Sequence, residues 1–131
     1  MQVTLRTLVE AAGALTKVAH APLPARVAFR IGRLVREVDP ILAAQEAARV
    51  ALVKKYGAHD PDTGWRVTQE MWPPFSAEYA LLLDELLSVS APGVTEQDLD
   101  QVVLTPLEAM QLAWLTGESV APDRPALAPV V

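Results

Sequence analysis

Apolar residues near the start of the chain recur at steps of three and four: Leu5, Leu8, Ala12, Leu15 and Ala19. Val9 and Val18 widen that stripe, and the period predicts an amphipathic helix with Thr4 as its N-cap. Gly13 weakens the helix by about 1 kcal/mol relative to alanine. The segment His20, Ala21, Pro22, Leu23, Pro24 closes it as a stiff connector. Pro24 then suits the first turn of a second helix, where a missing amide proton costs nothing.

That second helix poses the main structural question. Its stripe reads Val27, Ile31, Leu34, Val38 before Pro40, then Ile41, Ala48, Leu52 and Tyr56 after it. Ala44 or Gln45 fills the intervening step. A proline removes a helical hydrogen bond and pushes the residue before it away from helical geometry. Asp39 as N-cap with Pro40 at the first position would make a good new start. A loop between two helices, however, has no reason to preserve phase. The unbroken phase favours one rod from about residue 24 to 56, bent at Pro40. Gly57 is expected to terminate it, with Lys54 and Lys55 facing the negative end of its dipole.

Beyond the rod, residues 58–64 carry turn chemistry. Residues 65–69 are compatible with a short strand, and residues 87–94 offer it a partner. Trp72, Pro73, Pro74 and Phe75 read as an apolar extended link. Ser76 reads as the cap of a helix carrying Phe75, Tyr79, Leu82, Leu83 and Leu86 on one side. Thr95 and Asp98 form a weak cap for a short turn. The last helix has the strongest local signal: Thr105 as N-cap, Pro106 after it, Glu108 completing T-x-x-E, and Gly117 behind. Leu107, Met110 and Trp114 form its stripe. The expected fold is mainly α: a long, Pro-kinked helix packed with three shorter ones, with room for a small two-stranded β element. Residues 1–117 form one helical domain in this reading, and residues 118–131 a Pro-rich tail or arm.

Composition narrows the class. A chain of 131 residues, 51% apolar, suits one domain that buries roughly two thirds of its unfolded surface. No run of 18 uncharged apolar residues is present, so no membrane span is expected. The N-terminal stretch lacks a basic region followed by an unbroken apolar one, so no signal peptide is expected. Cysteine is absent, which removes disulfides, thiolate nucleophiles and cysteine-held zinc. Asparagine is absent too, and arginine outnumbers lysine by 8 to 3. This matches a thermophile trend, and a GC-rich genome gives the same bias.

The net charge of −5 conceals a split. Residues 1–66 hold 10 basic and 6 acidic side chains, while residues 67–131 hold 1 basic and 10 acidic. Oppositely charged halves either fold onto each other and cancel, or favour head-to-tail contacts between copies. Arg26, Arg30, Arg33 and Arg36 form a basic ridge at near-helical spacing. It is either a solvated face or a patch that meets an acidic protein surface. Nucleic acid is a poorer fit, because the chain is acidic and carries no reading motif.

No catalytic set emerges. His59, Asp60 and Asp62 sit in turn sequence, Asp84 and Glu85 diverge as helix neighbours, and phosphate-loop, metalloprotease and nucleophile-elbow motifs are missing. No enzyme activity, cofactor or metal is therefore expected. Trp72 and Phe75 are candidate partner-facing anchors, since tryptophan is enriched at interface hot spots. Their alternative is packing of the loop and last helix on the rod.

Several motifs together resemble a family of short phage-encoded proteins of unknown function. They are Leu23 and Pro24 opening a long helix, then Glu46, Ala47, Ala48, Arg49, then Leu52, Val53, Lys55, Tyr56, Gly57. The Phe75–Leu87 helix and the run Leu104, Thr105, Pro106, Leu107, Glu108 extend the likeness over residues 5–115. Asp39 and Pro40 depart from it, where the family carries a charged residue that continues the helix. The resemblance implies no catalytic residues. It implies a non-enzymatic virion or assembly component (head–tail, tail or capsid-associated), located in the virion or the host cytoplasm. Its partners would be other phage structural proteins or copies of itself. The alternative is a phage regulator whose acidic half covers a basic groove on a host enzyme.

Overall fold

The computed structural model describes residues 1–116; Gly117 and the 118–131 arm lie outside them. The order is β1 (Gln2–Thr4), α1 (Leu5–Ala19), α2 (Ala25–Tyr56), β2 (Gly57–Asp60), β3 (Gly64–Val67), α3 (Trp72–Leu83), β4 (Leu86–Ser88) and α4 (Pro106–Gln111). Short 3-10 turns cover Gln97–Leu99 and Ala113–Thr116. The molecule is thus mainly helical, with one 32-residue rod and three shorter helices.

Pro40 lies inside α2, and the rod continues through it. Val27, Ile31, Leu34, Val38 and Gln45 are buried along one face, followed by half-buried Ala48, Leu52 and Tyr56. Asp39 and Pro40 are exposed. The Arg36 carbonyl that a proline at 40 deprives of its donor therefore lies on a side where water can reach it, which lowers the cost of the interruption. Gln45, rather than exposed Ala44, fills the missing step of the seam. Its Nε2 donates to the Tyr79 hydroxyl at 2.8 Å, so the one buried polar side chain of the described residues has a partner.

Thr4 caps α1 as expected, its Oγ1 accepting from the Thr7 amide. Leu8, Ala11, Ala14, Leu15 and Val18 face the N-terminal half of α2, where Val27, Ile31, Leu34 and Val38 meet them. Val89, Val94, Leu99, Leu112, Trp114 and Leu115 close this core from the chain's second half. Fully burying a leucine or valine contributes roughly 1.5–3 kcal/mol, so this cluster is the main source of stability. The C-terminal half of α2 instead supports α3 and the β2–β3 hairpin.

Several sequence expectations need correction. Residues 65–69 and 87–94 do not pair with each other. β3 pairs with β2 as a hairpin, and β4 pairs with β1 through Gln2↔Ser88, Val3↔Leu87 and Thr4↔Leu86. The turn region is correspondingly shorter, because 57–60 is already strand. Gly57 ends α2 in extended backbone rather than a left-handed cap (φ −97°). Its glycine is required for closeness: a Cβ there would lie 2.6 Å from the Arg66 carbonyl oxygen and closer still to that of Val53.

Trp72, Pro73 and Pro74 are not an extended link but the first turn of α3, where amide donors are dispensable, so Ser76 lies inside the helix instead of capping it and Leu86 belongs to β4. Finally, Leu107, Met110 and Trp114 do not share one face. The capping box of Thr105 and Glu108 forms as expected, but α4 ends at Gln111 and tightens into the 3-10 turn. The change of period turns Leu112, Trp114 and Leu115 inward and leaves Leu107 and Met110 exposed. The buried Trp114 keeps its Nε1 satisfied by the Gln111 carbonyl at 2.8 Å.

Candidate protein-interaction surface

The arginine ridge is divided in its use. Arg26 pairs with Asp98 at 3.2 Å, and Arg30 donates to the Gly93 carbonyl. Glu37, further along the rod, accepts from the Ser90 amide at 3.2 Å. These contacts hold residues 90–98 against the rod. Gly93 takes φ +69°, a conformation that glycine adopts without strain. Arg33 and Arg36 form no ion pair among the described residues.

Part of the charge split is used in the same way. Among the described residues, four of the five ion pairs join the basic first half to the acidic second: Arg6 with Asp84, Lys17 with Glu108, Arg26 with Asp98 and Lys55 with Glu78. All four lie at the surface, with Asp98 and Glu108 half-buried, so their effect is to neutralise and orient rather than to stabilise strongly. Several carboxyls are held below their usual range. For Asp98 the main cause is the Thr95 amide, for Glu108 the Thr105 amide followed by Lys17, and for Glu78 the Tyr56 hydroxyl followed by Lys55.

The second candidate region is a groove of about 550 Å³ between the C-terminal half of α2, strand β3 and helix α3. Arg49 and Val53 come from α2, Trp65, Arg66 and Val67 from β3, and Trp72, Phe75, Ser76, Tyr79, Ala80 and Leu83 from α3. Arg6 reaches its edge from α1. Phe75 is buried, with its ring stacked near that of Tyr79 at 5.8 Å and beside Trp72 at 5.4 Å. Trp72 remains 55% exposed and Trp65 45% exposed. Of the two proposed anchors, the structure therefore gives Phe75 a packing position and leaves Trp72 open to solvent.

Sequence reasoning missed Arg6, Arg49 and Arg66 as neighbours of this groove. They come from three elements far apart in sequence, so no spacing signal could join them. Arg6 is paired with Asp84 at 3.0 Å and Arg49 with Glu46 at 2.6 Å. Arg66 has no ion pair among the described residues. His59 packs edge-on against Trp65 at 5.5 Å, and the Asp60 carboxylate accepts from the Asp62 amide at 2.8 Å. Both side chains thus serve the hairpin. Comparison with protein-family models, with curated proteins and with solved structures returns no match. No helix among the described residues is long and apolar enough to cross a membrane.

Proposed function

We propose that this chain is a non-enzymatic bacteriophage virion or assembly component that works through protein–protein contacts. One observation carries the interaction reading: Trp72, on the first turn of α3, leaves more than half its surface exposed beside an apolar groove. Large aromatic side chains held on rigid elements lose little entropy on binding and dominate interface energetics. Buried Phe75 fixes the helix that presents it. Phage context enters through the sequence resemblance, and the partners are other phage structural proteins or further copies of this chain.

Quantitative mass spectrometry of purified particles tests the reading. A virion component appears at many copies per particle and survives stringent washing. Absence from particles at every stage of assembly overturns it, and recovery with a host enzyme would instead identify a regulator.

A further inference from the structure

We propose that the outer edge of β3 accepts an extended acidic segment of a partner protein as an added strand, seated in the groove beside α3. This rests on the interaction reading above and names the chemistry of the partner. Among the described residues β3 pairs with β2 alone. The Arg66 carbonyl lies against Gly57 of β2, so the alternating ladder turns the main-chain groups of Trp65 and Val67 outward. No backbone bond joins them to another element among the described residues. Three consecutive strand residues, Trp65, Arg66 and Val67, all border one groove. Successive side chains point to opposite faces, so a groove touched by all three runs along the strand's edge.

The lining also selects charge. It contains three guanidinium groups, from Arg6, Arg49 and Arg66, and no carboxylate. Arg6 makes a single exposed contact with Asp84, which an incoming carboxylate can replace, whereas Glu46 holds Arg49 through two hydrogen bonds, so Arg66 is the cation without an ion-pair partner among the described residues. A charge in the middle of an edge strand ordinarily blocks pairing with other strands. Exposed Arg66 blocks neutral and basic strands and admits one carrying the opposite charge. Trp65 and Val67 share the face opposite Arg66. The matching segment therefore alternates apolar and acidic residues, with its main chain bonded to β3. A nucleic-acid strand fits less well, because the groove floor is aliphatic and aromatic and the chain as a whole is acidic.

The test uses the full chain and a short blocked peptide of alternating glutamate and leucine, with tryptophan fluorescence and calorimetry as readouts. Saturable binding is expected, falling about tenfold or more when the glutamates become glutamines or when Arg66→Gln is introduced. Methylating the peptide's backbone amides on the paired edge should abolish it. Arg66 is exposed, and a thermal melt matching the parent establishes that the variant is folded; the peptide substitutions leave the protein unaltered in any case. Absent binding, equal binding of the glutamine peptide or the methylated peptide, an unaffected Arg66→Gln variant, or preferential saturation by oligothymidine would each overturn the proposal. Failure here leaves the particle measurement untouched. Absence from particles, conversely, removes the assembly reading and leaves peptide binding standing.

Discussion

Replacing Pro40 by alanine distinguishes one rod from two helices by the sign of the stability change. In a helix interior, proline is about 3 kcal/mol less favourable than alanine, because it removes a hydrogen bond and its ring presses on the preceding turn. Within α2 the bond lost is the one to the Arg36 carbonyl. Position 40 is exposed, so hydration of that carbonyl offsets part of the loss, and Pro40→Ala should stabilise by about 1–3 kcal/mol. At about 2.1 cal/mol/K per residue, unfolding the 116 described residues carries an entropy of about 0.24 kcal/mol/K, so Tm should rise by about 4–12 °C. Were Pro40 instead the first residue of a separate helix, the substitution would only enlarge the entropy of the unfolded chain. It would then destabilise by about 0.4–1 kcal/mol. Circular dichroism melts of the two proteins under the same buffer decide the matter. An unchanged or lower Tm would refute the account of α2.

Buried Gln45 and half-buried Tyr79 should behave as a unit. Tyr79→Phe leaves the Gln45 amide without its partner and should cost about 1–3 kcal/mol by urea unfolding. Adding Gln45→Leu should recover most of that loss, and additive single effects would show that the pair does not interact. Stability should also fall in acid. Asp98, Glu108 and Glu78 titrate below their usual range when folded, so the folded state binds fewer protons than the unfolded one. Their contribution is complete above the unfolded carboxyl range of about pH 4–4.5 and disappears as pH falls through the lowered folded values. Glu108→Gln should flatten the loss of urea midpoint between about pH 5 and pH 3, and an unchanged slope would remove Glu108 from that set.

Local features of this protein were legible because their causes are local. The phase of apolar residues across Pro40, the Thr4 cap and the Thr105–Glu108 capping box each depend on neighbours within one or two helical turns. Consecutive prolines after Trp72 also carried a helix-start signal, obscured by the apolar residues around them. Position 45 could be narrowed to a step of the seam, but the hydroxyl that makes a buried glutamine tolerable comes from residue 79.

Sequence alone thus determined a helical chain with one long amphipathic rod and two oppositely charged halves. Tertiary structure decided which strands meet, since β1 and β4 lie more than 80 residues apart and pairing register is set by burial, not by local propensity. It also decided that four charges from each half pair with one another at the molecule's surface and that Phe75 packs while Trp72 stays open. The groove exists for the same reason. Arg6, Arg49 and Arg66 approach it only because α1, α3 and the hairpin all pack on α2, and packing is a property of the whole chain.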